Sequence, residues 1–104
     1  MEVRELDIHQ AFARYEAGDA IFMDVRDPGA HAQAHIPGSQ HVSDANIQQF
    51  IDEADKTKTV IVYCYMGNSS LGGAAYLMEN GFADVYSMSG GFEDWRGKYP
   101  DQSA

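Results

Sequence analysis

The chain has one cysteine, Cys64, among its 104 residues. A single thiol closes no internal disulfide and is at home in a reducing compartment, so a disulfide scaffold is excluded and a cytoplasmic location is expected. Positive charge is also scarce, with seven Lys and Arg against sixteen Asp and Glu, a net charge of −9. The basic residues are dispersed, which leaves no positive stripe for a phosphate backbone and excludes nucleic acid as a partner. Apolar runs are short: Val60 to Met66 falls far below the roughly 20 residues that span a bilayer. The N-terminal MEVRELDIHQ mixes charged and apolar residues and is not a signal peptide, so no membrane association is expected. The four histidines stand at irregular spacing without cysteine partners, which is no zinc pattern, and no metal or other cofactor is called for. Repeats and low-complexity segments are absent, and the length suits one domain spanning residues 1–104.

What is present alternates between two periodicities. Asp7 is placed to cap a helix with Ile8, Ala11, Phe12 and Tyr15 at helical spacing and Gly18 as its stop. AIFMDV, from Ala20 to Val25, reads as a buried strand. Proline at a first turn predicts a short helix over Pro28 to Gln33, before a turn at Ile36 to Gly38. Ser43 or Asp44 is expected to cap a further helix that carries Ile47, Phe50, Ile51 and Ala54 inward. TVIVY, from Thr59 to Tyr63, is the clearest strand. A helix is predicted from about Ser70 to Asn80, ending at Gly81, then a strand over Asp84 to Met88 and a last helix over Phe92 to Lys98. Strands alternating with helices imply an α/β domain with a mostly parallel sheet covered on both faces.

In such sheets ligands bind beyond the carboxyl ends of the strands, and Cys64 sits at that end of the strongest strand. Between it and the next helix lies a six-residue loop, Cys64 to Ser69, with Gly67 and Asn68 able to take left-handed backbone angles. Such a loop can aim successive N–H groups at one point, reinforced by the positive end of the helix. Sulfur at its floor is favoured as thiolate, the nucleophilic form. The competing reading is structural, because free cysteine is often a small buried hydrophobe.

Three separated motifs in order, DVRDPGAHAQAHIPGSQHV (Asp24 to Val42), CYMGNSS (Cys64 to Ser70) and GGFEDW (Gly90 to Trp95), resemble the single-domain rhodaneses, the thiosulfate sulfurtransferases of the GlpE type. The resemblance implies a five-stranded, mostly parallel sheet flanked by helices on both faces. It also implies a double displacement in which a cysteine takes sulfane sulfur from thiosulfate, releases sulfite, and passes the sulfur to cyanide, a dithiol or a thioredoxin-like protein. The persulfide cysteine then falls on Cys64, and the anion-binding loop on Tyr65, Met66, Gly67, Asn68 and Ser69, with Ser70 at the helix start. Where many rhodaneses carry a cation in this loop, the chain has Met66, which leaves anion binding to backbone dipoles. Ala34 and His31 depart from the usual upstream pattern at positions that read as fold positions.

The remaining candidates read as structural. Asp24 and Arg26 can pair with each other or fix the neighbouring loop. His35 is a remote candidate base for Cys64, Phe92 and Trp95 pack the last helix, and Gly90 and Gly91 suit a turn. Two other functions compete with sulfur transfer. A cysteine phosphatase uses a similar loop but needs an arginine six places after the cysteine, where this chain has Ser70. A rhodanese-like sulfur carrier or regulatory binding module, fed by a protein persulfide, would more usually lack the cysteine or carry extra domains.

Overall fold

The computed structural model describes residues 2–103. Five parallel strands form its sheet: β1 (Arg4–Leu6), β2 (Ala20–Asp24), β3 (Gln40–His41), β4 (Thr59–Tyr63) and β5 (Val85–Met88), in the spatial order β1-β5-β4-β2-β3. Helices α1 (Ile8–Ala17), α2 (Pro28–Gln33), α3 (Ile47–Glu53), α4 (Ser69–Glu79) and α5 (Gly91–Lys98) connect and cover them, and a short 3₁₀ turn over Pro100–Gln102 follows.

Side chains alternate across a strand, so β4 divides the core in two. Val60 and Val62 join Met23, Phe50, Ile51, Ala74 and Leu77 under α3 and α4. Ile61 and Tyr63 join Phe22, Met88, Phe92 and Trp95 under α1 and α5. A strand buried on both faces needs this unbroken apolar run, which is why TVIVY stands out in the sequence. Trp95 is fully buried, with its indole N–H donating to the Gln102 carbonyl at 2.9 Å.

Helix α1 is built as its sequence predicts, with an Asp7–Gln10 capping box and Gly18 at φ 70° closing it. Three features differ from the sequence reading. Strand β1 was not expected; it is an edge strand of three residues, held by Arg4 through Asp84 at 2.7 Å and through the Tyr86 ring. Strand β3, two residues long, is too short to leave a periodic signal. Helix α3 begins at Ile47 with Asn46 at its cap, because Ser43 closes a preceding turn: its hydroxyl accepts from Ala45 N–H and its N–H donates to Asn46 Oδ1.

At the carboxyl end of β2 the chain buries an ion pair. Asp24 is fully buried, and the Arg26 side chain donates to it from Nε at 3.0 Å and from Nη2 at 2.7 Å. His31 Nδ1 donates to the same carboxylate at 2.8 Å, and Arg26 Nη2 also reaches the Ala34 carbonyl at 2.7 Å. The guanidinium lies over the rings of Phe92 (4.3 Å), Tyr63 (5.6 Å) and Tyr65 (5.7 Å), an arrangement that favours a cation. Burial pushes the Asp24 carboxyl up, but the bonds from Arg26 and His31 outweigh it and hold Asp24 below its ordinary value. With its folded value depressed, the stability Asp24 contributes is present above the ordinary carboxylate range and is lost as pH falls through the folded value. Asp24→Leu strands a buried guanidinium and is expected to cost about 3–5 kcal/mol in urea unfolding, whereas Asp24→Leu with Arg26→Leu should cost less. Equal losses in the single and double variants would show that the pair is not what holds this corner.

Candidate functional site

Strand β4 ends at Tyr63 and delivers Cys64 to the carboxyl edge of the sheet, at the centre of the strand order. The chain then reverses at Gly67, with φ at 99°, and enters α4 at Ser69. Asn68, the other residue expected to adopt a left-handed angle, is right-handed at φ −89° and makes no side-chain cap. Glycine is favoured at position 67 for a second reason, since a Cβ there would stand 3.1 Å from Gly90 N and 3.4 Å from Met88 O.

The loop is shaped from behind by α5. Phe92 N–H donates to the Cys64 carbonyl at 2.8 Å and Glu93 N–H to the Tyr65 carbonyl at 3.1 Å. These two carbonyls are thereby turned to the positive end of α5. Gly91, at φ 62°, admits this approach; a Cβ on it would lie 2.5 Å from the Tyr65 carbonyl carbon and oxygen. Tyr65 is tied on its other side, its phenol donating to the Asp27 carboxylate at the start of α2.

Two N–H donors and one hydroxyl surround the sulfur. Gly67 N–H donates to Cys64 Sγ at 3.2 Å, Ser70 N–H donates to it at 3.3 Å, and Ser70 Oγ lies 3.3 Å away. Cys64 is only 2% exposed, so these groups stand where water would otherwise solvate the sulfur. Burial pushes its pKa up. The Ser70 hydroxyl and the N–H groups of Ser70, Gly67 and Met66 outweigh that and hold the thiol below its usual range. The Ser70 amide also belongs to the first turn of α4, where the helix dipole favours negative charge. The site therefore favours ionisation of the thiol and offers converging N–H groups able to stabilise negative charge beside it.

Of the residues singled out in the sequence, Gly67 and Ser70 bond the sulfur directly. Met66 contributes its amide, while its side chain is 69% exposed. Tyr65, Asn68 and Ser69 are exposed and make no bond to Sγ. His35 stacks on His31 and donates to the His31 carbonyl at 2.8 Å; it does not contact Cys64. Arg26 is committed to Asp24 and the Ala34 carbonyl. One site neighbour is absent from the sequence reading: Ser87 on β5, whose hydroxyl lies 2.7 Å from that of Ser70. Its only signal is a small polar residue inside an apolar strand. A cavity of about 710 Å³ lies against α2, α3 and α4 and is lined in part by Asp27, Ile47, Ser69 and Tyr76. Cys64 is not in its wall.

Residues 7–98 match the family described as Rhodanese-like domain. The chain is 48% identical over 103 residues to the thiosulfate sulfurtransferase GlpE of Pseudomonas fluorescens strain Pf0-1, covering 99% of this chain and 94% of that protein. It is 50% identical over 99 residues to the GlpE of strain SBW25, covering 95% and 90%. Among solved structures it superimposes on reduced CoADR-RHD from Bacillus anthracis with a TM-score of 0.84 and 25% identity, over 98% of this chain and 18% of that one.

The geometry makes Gly67 the residue on which the loop turns. Gly67→Val must hold a β-branched residue at positive φ, a strain of about 1–3 kcal/mol. The displaced amide should raise the midpoint of the thiolate ultraviolet absorbance by roughly one pH unit, the worth of one hydrogen bond to a charge. An unchanged midpoint in a folded Gly67→Val protein would refute this account of the loop.

Proposed function

The chain belongs to the rhodanese-like family, and from that premise we propose that it is a thiosulfate sulfurtransferase working through a persulfide on Cys64. The observation that carries this reading is the set of polar groups converging on one buried sulfur: the donating N–H groups of Gly67 and Ser70, and the Ser70 hydroxyl at 3.3 Å. The Cys64 thiolate attacks the outer sulfur of thiosulfate, a new S–S bond forms, and the S–S bond of thiosulfate breaks with its electron pair leaving on sulfite. The enzyme then holds Cys64–S–S⁻. Cyanide or a thiolate attacks the outer sulfur, and the electron pair of the broken bond returns to Cys64. Because the loop favours the ionised form of the nucleophile, the cycle is assigned no general base, and the histidines make their hydrogen bonds elsewhere.

Negative charge is present throughout the cycle, on the thiolate, thiosulfate, persulfide and departing sulfite. The N–H groups of the loop supply preorganised dipoles at that point, and the Met66 amide and the exposed loop residues Tyr65, Asn68 and Ser69 line the approach of the donor. The acceptor is a small thiophile: cyanide, a dithiol or a thiol of a thioredoxin-like protein. A thiol that must return to the reduced state in each turnover suits the cytoplasm, and among the described residues no helix is long and apolar enough to cross a membrane.

The phosphatase reading lacks its cation. Six residues after the cysteine stands Ser70, fully buried and turned to the sulfur, where phosphate capture requires a bidentate guanidinium. A regulatory binding module without sulfur transfer would not need N–H groups converging on the sulfur, whereas a sulfur carrier would share this site and differ only in taking its sulfur from a protein persulfide.

Because Cys64 is the only thiol, the intact mass of the protein is a direct test. Thiosulfate should add one sulfur atom, and cyanide should remove it as thiocyanate; Cys64→Ser should add none while keeping its fold, since a serine hydroxyl is a far weaker nucleophile. An unchanged wild-type mass, or hydrolysis of aryl phosphates that Cys64→Ser abolishes, would overturn the proposal.

A further inference from the structure

We propose that Ser87 is a positioning residue that holds Cys64 in its ionised state through the hydroxyl of Ser70. This rests on the sulfur-transfer reading only for its purpose; the arrangement itself is one of hydrogen bonds.

Ser87 lies on β5 two residues after Val85, and alternation places both on the face covered by α4. Val85 is packed in the apolar core on that face. At the next position on that face the chain has a fully buried hydroxyl, which is costly unless it is bonded. Among the described residues its one side-chain partner is Ser70 Oγ, at 2.7 Å. Ser70 is also fully buried, and its Oγ lies 3.3 Å from Cys64 Sγ. Sulfur and two hydroxyls therefore form a closed row of three polar atoms joined by two links.

Counting hydrogens on that row decides its polarity. With Cys64 as a thiol there are three hydrogens for two links, so one of them has no acceptor in the row. With Cys64 as a thiolate there are two hydrogens for two links. Ser87 O–H then donates to Ser70 Oγ, Ser70 O–H donates to Sγ, and each hydrogen is used. The two amides of Gly67 and Ser70 already treat the sulfur as an acceptor, in agreement with that polarity. Among the described residues Ser87 has no other side-chain acceptor to draw its hydrogen elsewhere, so it fixes the direction in which Ser70 points. A hydroxyl that receives a hydrogen bond also donates a stronger one, and Ser87 in this way strengthens the bond from Ser70 to the ionised sulfur.

The test is a double-mutant cycle read by the pH midpoint of thiolate absorbance, a measurement that needs no sulfur donor and is independent of whether thiosulfate loads the protein. Ser70→Ala should raise the midpoint by about one unit or more, the worth of a hydrogen bond to a charge. Ser87→Ala should raise it by about half a unit in the wild-type background, the scale of cooperative strengthening of that bond. In the Ser70→Ala background the same change should move it by nothing measurable, because the residue through which Ser87 acts is gone. A purely structural Ser87 would alter the urea midpoint and leave the thiolate midpoint in place. That result overturns the proposal, and so does a shift from Ser87→Ala of equal size in both backgrounds.

Discussion

A charge can be kept on an atom removed from water only where protein donors take over its solvation, and much of this molecule serves that condition at Cys64. The sulfur is 2% exposed and its own burial opposes ionisation. The Ser70 hydroxyl and the N–H groups of Ser70, Gly67 and Met66 reverse the balance. These groups are not in place by local preference alone. The Gly67 amide needs a backbone turn at φ 99° in close contact with Gly90 and Met88, and the Ser70 amide needs α4 to begin where the loop ends. The reversal is supported by α5, whose first N–H groups hold the carbonyls of Cys64 and Tyr65.

The scaffold behind the loop answers the same need at longer range. Strand β4 sits in the middle of the sheet, buried on both faces, and gives Cys64 a fixed origin. Beside it the Asp24–Arg26 pair is buried under the rings of Phe92, Tyr63 and Tyr65, which joins the end of β2 to the base of α5 and to the loop. The Tyr63 hydroxyl accepts from Ile36 N–H at 3.2 Å and lies 2.9 Å from Ser39 Oγ, fastening the turn after α2 to β4. Burial raises its phenol to about 12, so this hydroxyl stays neutral across the range in which a thiol titrates.

Much of this was legible in the residues. TVIVY followed by cysteine, a glycine three residues on and a helix announces a strand, a reversal and a helix N-terminus, because each step has its own local chemistry. The Asp7 cap, the Gly18 stop and the burial of Trp95 belong to the same class. Strands β1 and β3 were not legible: an edge strand of three residues buries too little to impose alternation, and two residues have no period. The start of α3 was misread because Ser43 closes a turn instead of capping the helix, a choice settled by Asn46 bonding back to it. Ser87 and the bond from Tyr65 to Asp27 join residues far apart in the chain, and only the packing of β5 against α4, and of the loop against α2, brings them together.

The central claim is that the ionised sulfur, held by these donors, is the species that accepts sulfur from thiosulfate. Its most direct test is the pH dependence of kcat/KM for thiosulfate, which reports the ionisation of the free enzyme's essential group. A depressed thiol keeps its reactive form to lower pH than a free one, so kcat/KM should fall on the acid side with a midpoint below the ordinary thiol value of about 8.5, coinciding with the thiolate absorbance. A midpoint at or above that value, or one that does not follow the absorbance, would contradict the account.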